Sequence, residues 1–312
     1  MRYDHHLKRI ILEEPGTVKD YILINNRDKF LDYLTEDPDH TRRGGNSFVF
    51  KVIDCNQEED DQIIKFCRFF NPKTDNRFIE KRITRFAREI TALYKALELD
   101  KNDFIVKILG DGSWEDNNDR IFRYYIMEKA DFDLYDFLSE NGLTLQAKIQ
   151  LCFELIEALK ALHEIEIYHR DIKPDNIFFI DGRWKIGDLG LIRFRGEDED
   201  IDESNEKIGP YGFLSPEAVN KALGNKELED FSFDCEIDDK SDVFQIGKLL
   251  WYIIQGEVPT GQISIVDFKL TKEVSFFETV IIPSLQFSKL RRPDIKQLYD
   301  NIVPICKKMA II

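Results

Sequence analysis

His169-Arg170-Asp171-Ile172-Lys173-Pro174-Asp175-Asn176, followed twelve residues later by Asp188-Leu189-Gly190, is the stretch on which the reading of this chain turns. It sets the Asp171 carboxylate beside two further oxygen-bearing side chains, Asn176 and Asp188, and a cation, Lys173. Transfer of a phosphoryl group needs few parts. One carboxylate orients the attacking hydroxyl and accepts its proton; further oxygens hold Mg²⁺ against the phosphates. Asp171 fits the first part, and Asn176 and Asp188 fit the second. Between these two, Ile177 to Ile180 and Trp184 to Ile186 read as a short hairpin turning at Asp181-Gly182, which brings the two metal candidates together. Lys173 adds a point charge able to bridge Asp171 and a transferred phosphate.

Outward from this stretch the pattern differs on the two sides. On the N-terminal side, Leu145 to His163 has the period of an amphipathic helix, with Ile149, Cys152, Phe153, Ile156, Leu159 and Leu162 on one face. Before Ala130 the sequence reads as a small sheet with one prominent helix. Phe48 to Ile53 and Gln62 to Phe66 are strands, and Ile105 to Leu109 and Ile121 to Met127 are two more short apolar runs. Ile79 to Leu97 is the helix, with Ile83, Phe86, Ile90, Leu93 and Leu97 at spacings of three and four. Residues 1–30 mix charges and aliphatics without a clear period. On the C-terminal side, Val243 to Ile254 is a buried helix and Asp294 to Met309 another, after an acidic loop from Glu197 to Glu206. The fold class expected is α+β: a β-rich part, a short connection, and a helical part, with a ligand cleft between two lobes.

Composition narrows the function. In 312 residues, 43% are apolar and 33% charged, which describes a globular chain with room for a sizeable core. A net charge of −15 sets it against nucleic acid and anionic membranes, despite a local basic cluster at Lys81, Arg82, Arg85 and Arg88. The five cysteines, Cys55, Cys67, Cys152, Cys235 and Cys306, are scattered and form no C-x-x-C pair, so a reducing, cytoplasmic setting is expected rather than a disulfide framework or a zinc site. The stretch after His5 and His6 holds no signal-peptide core, and no apolar run is long enough to span a bilayer.

With these residues in this order, the chain resembles the eukaryotic-type protein kinase superfamily, Ser/Thr branch. The resemblance implies a bilobal kinase-like fold, with residues 1–30 an extension packed on the N-lobe, 31–128 the N-lobe with its one main helix, and 129–312 the hinge and a mostly helical C-lobe. It implies ATP and Mg²⁺ as cofactors, protein substrates with Ser or Thr hydroxyls, and autophosphorylation. Asp171 is then the catalytic carboxylate, with Lys173 beside it, and Asn176 and Asp188 hold metal. Lys65, in Ile63-Ile64-Lys65, matches the lysine that contacts the α- and β-phosphates, and Glu89 matches its ion-pair partner. Gly44, Gly45, Val49, Ile63, Met127, Glu128, Ala130 and Phe178 are the remaining nucleotide-binding positions, with Met127 at the gatekeeper position of the hinge. Ser215-Pro216-Glu217 matches the end of the activation segment, Arg292 the arginine that pairs with that glutamate, and Asp242 the buried aspartate that braces the catalytic loop. Read alone, Asp242 beside Ser241 also fits a helix N-cap, and Arg292 also fits a solvated charge.

The chain departs from the family pattern in several places. Of the three loop glycines only the second, Gly44, remains; Arg42 and Ser47 stand at the others. Ile63 replaces an alanine over the adenine ring, and Leu189 replaces the phenylalanine of D-F-G. Pro210 stands where Ser/Thr kinases carry a threonine that positions Lys173 and Asp171. Between Asp188 and Pro210 the only hydroxyl is Ser204, amid Glu197, Asp198, Glu199, Asp200, Asp202, Glu203 and Glu206. One of these carboxylates is expected to pair with Arg170 in place of a phosphate; the same loop also reads as a lure for basic substrates, or as a solvated segment. Set against an active kinase are two alternatives: a nucleotide-binding pseudokinase or interaction module, and a small-molecule kinase on a related fold.

Overall fold

The computed structural model describes residues 1–4, 6–7, 9–24, 27–34, 47–54, 62–67, 77–99, 103–140, 142–197, 201–203, 205–224, 233–269 and 274–312. These divide into two compact units: residues 1–97 with 106–129, and residues 98–105 with 130–312. Gly44 and Gly45, Cys55, Asp198 to Asp200 and Ser204 lie outside the described residues.

The first unit is built on a six-stranded antiparallel sheet. Its strands are β3 (Tyr21–Ile24), β4 (Arg27–Asp32), β5 (Ser47–Asp54), β6 (Gln62–Cys67), β7 (Ile108–Glu115) and β8 (Ile121–Glu128), in the order β3-β4-β5-β6-β8-β7. β1 (Arg2–Asp4) and β2 (Arg9–Ile11) form a separate hairpin. Alternation along the strands sorts the side chains onto two faces. Phe48, Phe50 and Val52 of β5, Ile64 and Phe66 of β6, and Phe122, Tyr124 and Ile126 of β8 join Ile10, Leu12, Ile22 and Leu31 in one apolar core. The opposite alternation on β6 carries Ile63 and Lys65, and this set meets α1 (Arg77–Leu97), whose Phe86 ring lies 5.4 Å from Tyr125. Along α1 the expected stripe is buried at Phe86, Ile90 and Leu93; Ala92 and Ala96 join it, while Leu97 at the helix end is exposed.

The apolar run at Ile105 to Leu109 divides differently from the expectation. The strand begins at Ile108 and runs on through polar residues to Glu115, alternating buried or half-buried with exposed positions, with an irregularity between Ile108 and Gly110. A sheet-edge strand with one wet face needs only every second residue apolar. Ile105 instead bridges Ile186 in the second unit, beside a bond from Ile186 N–H to Phe104 C=O at 2.9 Å.

The second unit is mainly helical. β9 (Phe132–Asp133) leads into α2 (Leu134–Glu140) and α3 (Leu145–Glu164). Thr144 caps α3 by accepting from Ala147 N–H at 3.2 Å. α3 buries Leu151, Leu155 and Ala158 besides the expected face, because it packs against several neighbours, α5 (Asp239–Gln255), α8 (Ile295–Lys308) and β12 (Arg183–Ile186) among them. β11 (Ile177–Ile180) pairs with both β9 and β12. β10 (Ile167–Tyr168) pairs with β13 (Arg193–Phe194), and α4 (Pro216–Leu223) follows the acidic loop. α6 (Val274–Phe276), a π-helical turn and α7 (Ile282–Ser284) complete the set. α5 is buried on nearly all sides, starts at an Asp238–Ser241 capping box, and ends at Gly256, which takes the left-handed φ of 83° that glycine adopts without strain. Among the described residues, no helix is long and apolar enough to cross a membrane. Cys152 and Cys306 are buried free thiols whose pKa values burial raises, which leaves them unreactive.

Candidate active site

In the first unit the sheet and α1 bring two of the expected residues together. Lys65 Nζ lies 2.7 Å from Glu89 Oε1, and both side chains are nearly buried. Tyr125, which the sequence did not mark, stands opposite Lys65 in the sheet and donates its hydroxyl to the same Glu89 oxygen at 2.9 Å. Lys65 Nζ also lies 5.7 Å from the Tyr125 ring centroid. A lysine is flexible, so an anion and an aromatic wall restrict where its charge points. Val49 is the sheet partner of Lys65, and Ile63 that of Met127. Val49, Met127 and Glu128 are half-buried, whereas Ile63 is 5% exposed. The Glu128 carboxylate accepts from Lys107 N–H at 2.8 Å.

In the second unit the string from His169 to Asn176 forms a tight loop above α5. Asp242 on that helix has no exposed surface and accepts three bonds: from His169 N–H at 2.7 Å, from Arg170 N–H at 2.7 Å, and at 3.0 Å from the His163 ring. It is not the helix cap, because Asp238 takes that place. Arg170 adopts a left-handed φ of 65°, uncommon for a side chain of its size, and the bonds to Asp242 hold it there. Asp171 N–H donates to His169 Nδ1 at 3.2 Å, which leaves His169 Nε2 to donate to Gly187 C=O at 3.1 Å. Gly187 N–H in turn donates to Asn176 C=O at 2.9 Å. The residue before Asp188 is therefore pinned at both its main-chain groups.

Asn176 Nδ2 donates to Asp171 Oδ2 at 2.9 Å and to Asp171 C=O at 2.8 Å. Lys173 Nζ lies 3.4 Å from the same Oδ2. Burial raises the Asp171 pKa, the Asp188 charge adds to this, and Lys173 opposes it. With its amide nitrogen committed to Asp171, Asn176 keeps Oδ1 as an oxygen donor. Asp188 is exposed, with a φ of 52°. Amide and carboxylate oxygens are the hard ligands Mg²⁺ prefers. Among the described residues no group of three or more His, Cys, Asp or Glu could hold a metal alone. Two protein oxygens suit an ion that completes its shell with water and phosphate. Ala130 and Phe178 are half-buried in the second unit, Phe178 opposite Asp133 and Lys185 in the small sheet.

Among the described residues, the acidic loop meets the His169–Asn176 loop through Asp202 and Arg170. Arg170 Nη1 lies 2.7 Å from Asp202 Oδ2, with side-chain exposures of 2% and 0%. Arg170 Nε also donates to Leu191 C=O at 2.7 Å. Farther on, Glu217 receives a two-pronged bond from Arg292, at 2.7 and 2.9 Å, and a third from Ser241 Oγ at 2.6 Å. Arg292 is 3% exposed, so it is no solvated charge. Its remaining donors reach the carbonyls of Gln286, Lys240 and Phe287. Burial pushes the Glu217 pKa up, but the bonds from Arg292 and Ser241 outweigh it and hold the carboxyl below its ordinary range. Besides Tyr125, two residues near the site had no signal in the sequence. Gln245 has no exposed surface and bonds the backbone of the loop at Arg170 and Ile172. Lys207, whose charge feels Asp171 and Lys173, stands 3.3 Å over the Tyr211 ring.

Comparison with known proteins gives the family of the chain. A protein kinase domain profile matches residues 43–309. The chain is 24% identical to the mouse (Mus musculus) dual specificity protein kinase TTK over 258 residues, 82% of this chain and 27% of that protein. It is 24% identical to the serine/threonine-protein kinase mph1 of Schizosaccharomyces pombe over 231 residues, 72% of this chain and 31% of that one. The serine/threonine-protein kinase MPS1 of Encephalitozoon cuniculi is 26% identical over 180 residues, 58% of this chain and 28% of its own length. In each case the match spans less than a third of the relative. With a kinase domain matched over most of its length, around a loop that gathers Asp171, Lys173 and Asn176, the chain belongs to the protein kinase domain family.

Proposed function

We propose that this chain transfers the γ-phosphate of ATP to Ser and Thr hydroxyls of protein substrates. The observation that carries the reading is the Asp171 carboxylate, fixed between Asn176 at 2.9 Å and Lys173 at 3.4 Å and raised in pKa by burial. A carboxylate held this way can aim a hydroxyl, and a raised pKa makes it a better proton acceptor. Asn176 Oδ1 and Asp188 would hold Mg²⁺, which supplies positive charge to the phosphates when bound. Lys173 would neutralise the moving phosphoryl group. Lys65, aimed by Glu89 and Tyr125, would neutralise the α- and β-phosphates. Val49, Ile63, Met127, Glu128, Ala130 and Phe178, with Gly44 and Gly45, would contact the rest of the nucleotide.

Three features bear on the setting of this reaction. The Glu217–Arg292 pair anchors the end of the activation segment, which favours a protein over a small-molecule acceptor. Asp202 is taken up by Arg170, so it supports a segment that needs no phosphate rather than a lure for basic substrates. The scattered cysteines, with no C-x-x-C pair in the sequence, support a cytoplasmic setting.

The test is transfer of labelled γ-phosphate from Mg-ATP to the chain itself and to a basic generic protein, beside Asp171→Ala. Phosphoamino-acid analysis of the product separates Ser/Thr transfer from the dual specificity named for the mouse relative. Transfer that vanishes in Asp171→Ala is expected. Absence of transfer by the wild type, with ATP still raising its melting temperature, would establish the pseudokinase instead.

A further inference from the structure

Gln245 lies three residues beyond Asp242 on α5, on the same face of the helix, with no exposed surface. Its amide is committed at both ends. Oε1 accepts from Ile172 N–H at 2.9 Å, and Nε2 donates to Arg170 C=O at 3.1 Å. These are the peptide groups immediately before and after Asp171. Together Asp242 and Gln245 hold four main-chain groups of the loop: His169 N–H, Arg170 N–H, Arg170 C=O and Ile172 N–H. A primary amide suits this task, since it offers a donor and an acceptor on one planar group and carries no charge.

A second observation points to the same amide from the opposite side. Gly209, in the acidic loop's C-terminal continuation, has a φ of +109°, and a Cβ there would stand 3.0 Å from Gln245 Nε2 and 3.1 Å from Arg170 C=O. The activation segment thus lies directly on the amide and the carbonyl it holds. One residue later comes Pro210, which has no hydroxyl to offer Asp171 or Lys173. The Asp171 carboxylate takes its bond from Asn176, while the peptide planes that orient it are fixed from α5. Arg170 has a left-handed φ of 65°, so an unheld loop has a lower-energy backbone to relax into.

We propose that Gln245 is a positioning residue for phosphoryl transfer, which fixes the direction of the Asp171 carboxylate by gripping the peptide groups on its two sides. This rests on the reading of Asp171 as the group that orients the acceptor hydroxyl. Gln245 touches neither nucleotide nor acceptor. Its loss misplaces the carboxylate without weakening nucleotide binding, and a displacement of an ångström at the reacting group costs on the order of 100-fold in rate.

The variant is Gln245→Met in the full chain, which keeps the side-chain length and removes both bonds. Three quantities are read: kcat and KM for ATP and for a peptide acceptor, the melting temperature with and without Mg-ATP, and amide exchange across residues 169–173 by mass spectrometry. The expected result is a kcat lower by about 100-fold with KM for ATP within about twofold, and faster exchange confined to that segment. A folded Gln245→Met chain with wild-type kcat overturns the proposal. So does a kcat lost only in proportion to the folded fraction, because that marks Gln245 as core packing. The wild-type chain alone gives a further test, should the variant not fold: unprotected exchange at Ile172 also overturns it. An inactive wild type with the expected exchange change in Gln245→Met refutes the kinase reading and leaves the grip on the loop established.

Discussion

Replacing Asp202 with alanine removes the carboxylate from a pair in which neither side chain has more than 2% exposure. Arg170 keeps its bond to Leu191 C=O but loses the only carboxylate paired with it among the described residues. Removing one member of a buried ion pair costs about 3–5 kcal/mol, because the remaining charge is left in a poor solvent. The chain escapes that cost by releasing the loop around Asp202 and letting water reach Arg170. A segment ordered about 99:1 in the wild type falls to roughly 0.6:1 at the lower figure and roughly 1:50 at the upper. If activity follows the ordered fraction, the rate drops between about threefold and 50-fold. The assay is steady-state transfer by wild type and Asp202→Ala, each before and after phosphatase treatment, with proteolysis of residues 189–206 as the measure of order. The wild type should keep its rate after phosphatase, since Asp202 already occupies Arg170. A wild type that loses most of its rate on dephosphorylation, or an Asp202→Ala chain with unchanged rate and proteolysis, refutes the reasoning.

Tyr125→Phe removes one of the bonds that orient Glu89 and leaves the ion pair with Lys65; kcat/KM for ATP should fall a few-fold, about 1 kcal/mol, and an unchanged value would mean that Tyr125 only fills space. Arg292→Ala strands the buried Glu217 carboxylate at about 3–5 kcal/mol, which lowers the melting temperature by about 6–20 °C. The sign with pH is also fixed: Glu217 has a depressed pKa in the folded chain, so its stabilisation is full above the unfolded carboxyl value and is lost as pH falls through the folded one. Melting temperature against pH from 3 to 6 should therefore show a wild-type loss on acidification that Arg292→Ala lacks. Asp171 is raised by burial and lowered by Lys173, so the acid limb of kcat/KM lies above the ordinary aspartate value and moves higher still in Lys173→Met; a limb that stays put would separate Lys173 from the Asp171 proton.

Much of the site was legible because it is local. Asp171, Lys173 and Asn176 lie within six residues, and a loop that short needs only a turn and a hairpin to converge. Lys65 and Glu89 were legible through the family pattern, although 24 residues apart. What was not legible was supplied at long range. Tyr125 reaches Glu89 from 36 residues away, and Gln245 reaches Arg170 from 75, where no local spacing constrains either. Arg292 gave the same ambiguity: a charge before a proline reads as solvated until its five acceptors are seen. The N-terminal strands failed for another reason. Ile10, Leu12, Ile22 and Leu31 enter one core from several short elements, so no single window carries enough period to be read.

The first turns of α5 explain why this loop can keep an unfavourable backbone. Ser241, Asp242 and Gln245 face three different dependants. The Ser241 hydroxyl has one proton and spare lone pairs: it donates to Glu217 and accepts from Asp238 N–H, so it closes the helix cap and supports the Glu217–Arg292 pair at once. Asp242 holds the loop before Asp171, and Gln245 holds the peptide groups on either side of it. A helix buried on nearly every side cannot easily rotate or fray, and Gly247, where a Cβ would run into Ser284, keeps it close against α7. The strain at Arg170 is therefore opposed by rigid structure beneath it, while Asp202 closes on Arg170 from the acidic loop. The two supports differ in kind. Those from α5 come from a helix interior that forms with the core, whereas the one from Asp202 comes from a single ion pair made by a charged segment. Perturbing α5 should cost stability and rate together unless the change is isosteric, as in Gln245→Met. Perturbing Asp202 should cost rate first, which makes that pair the point at which such a domain is most easily switched.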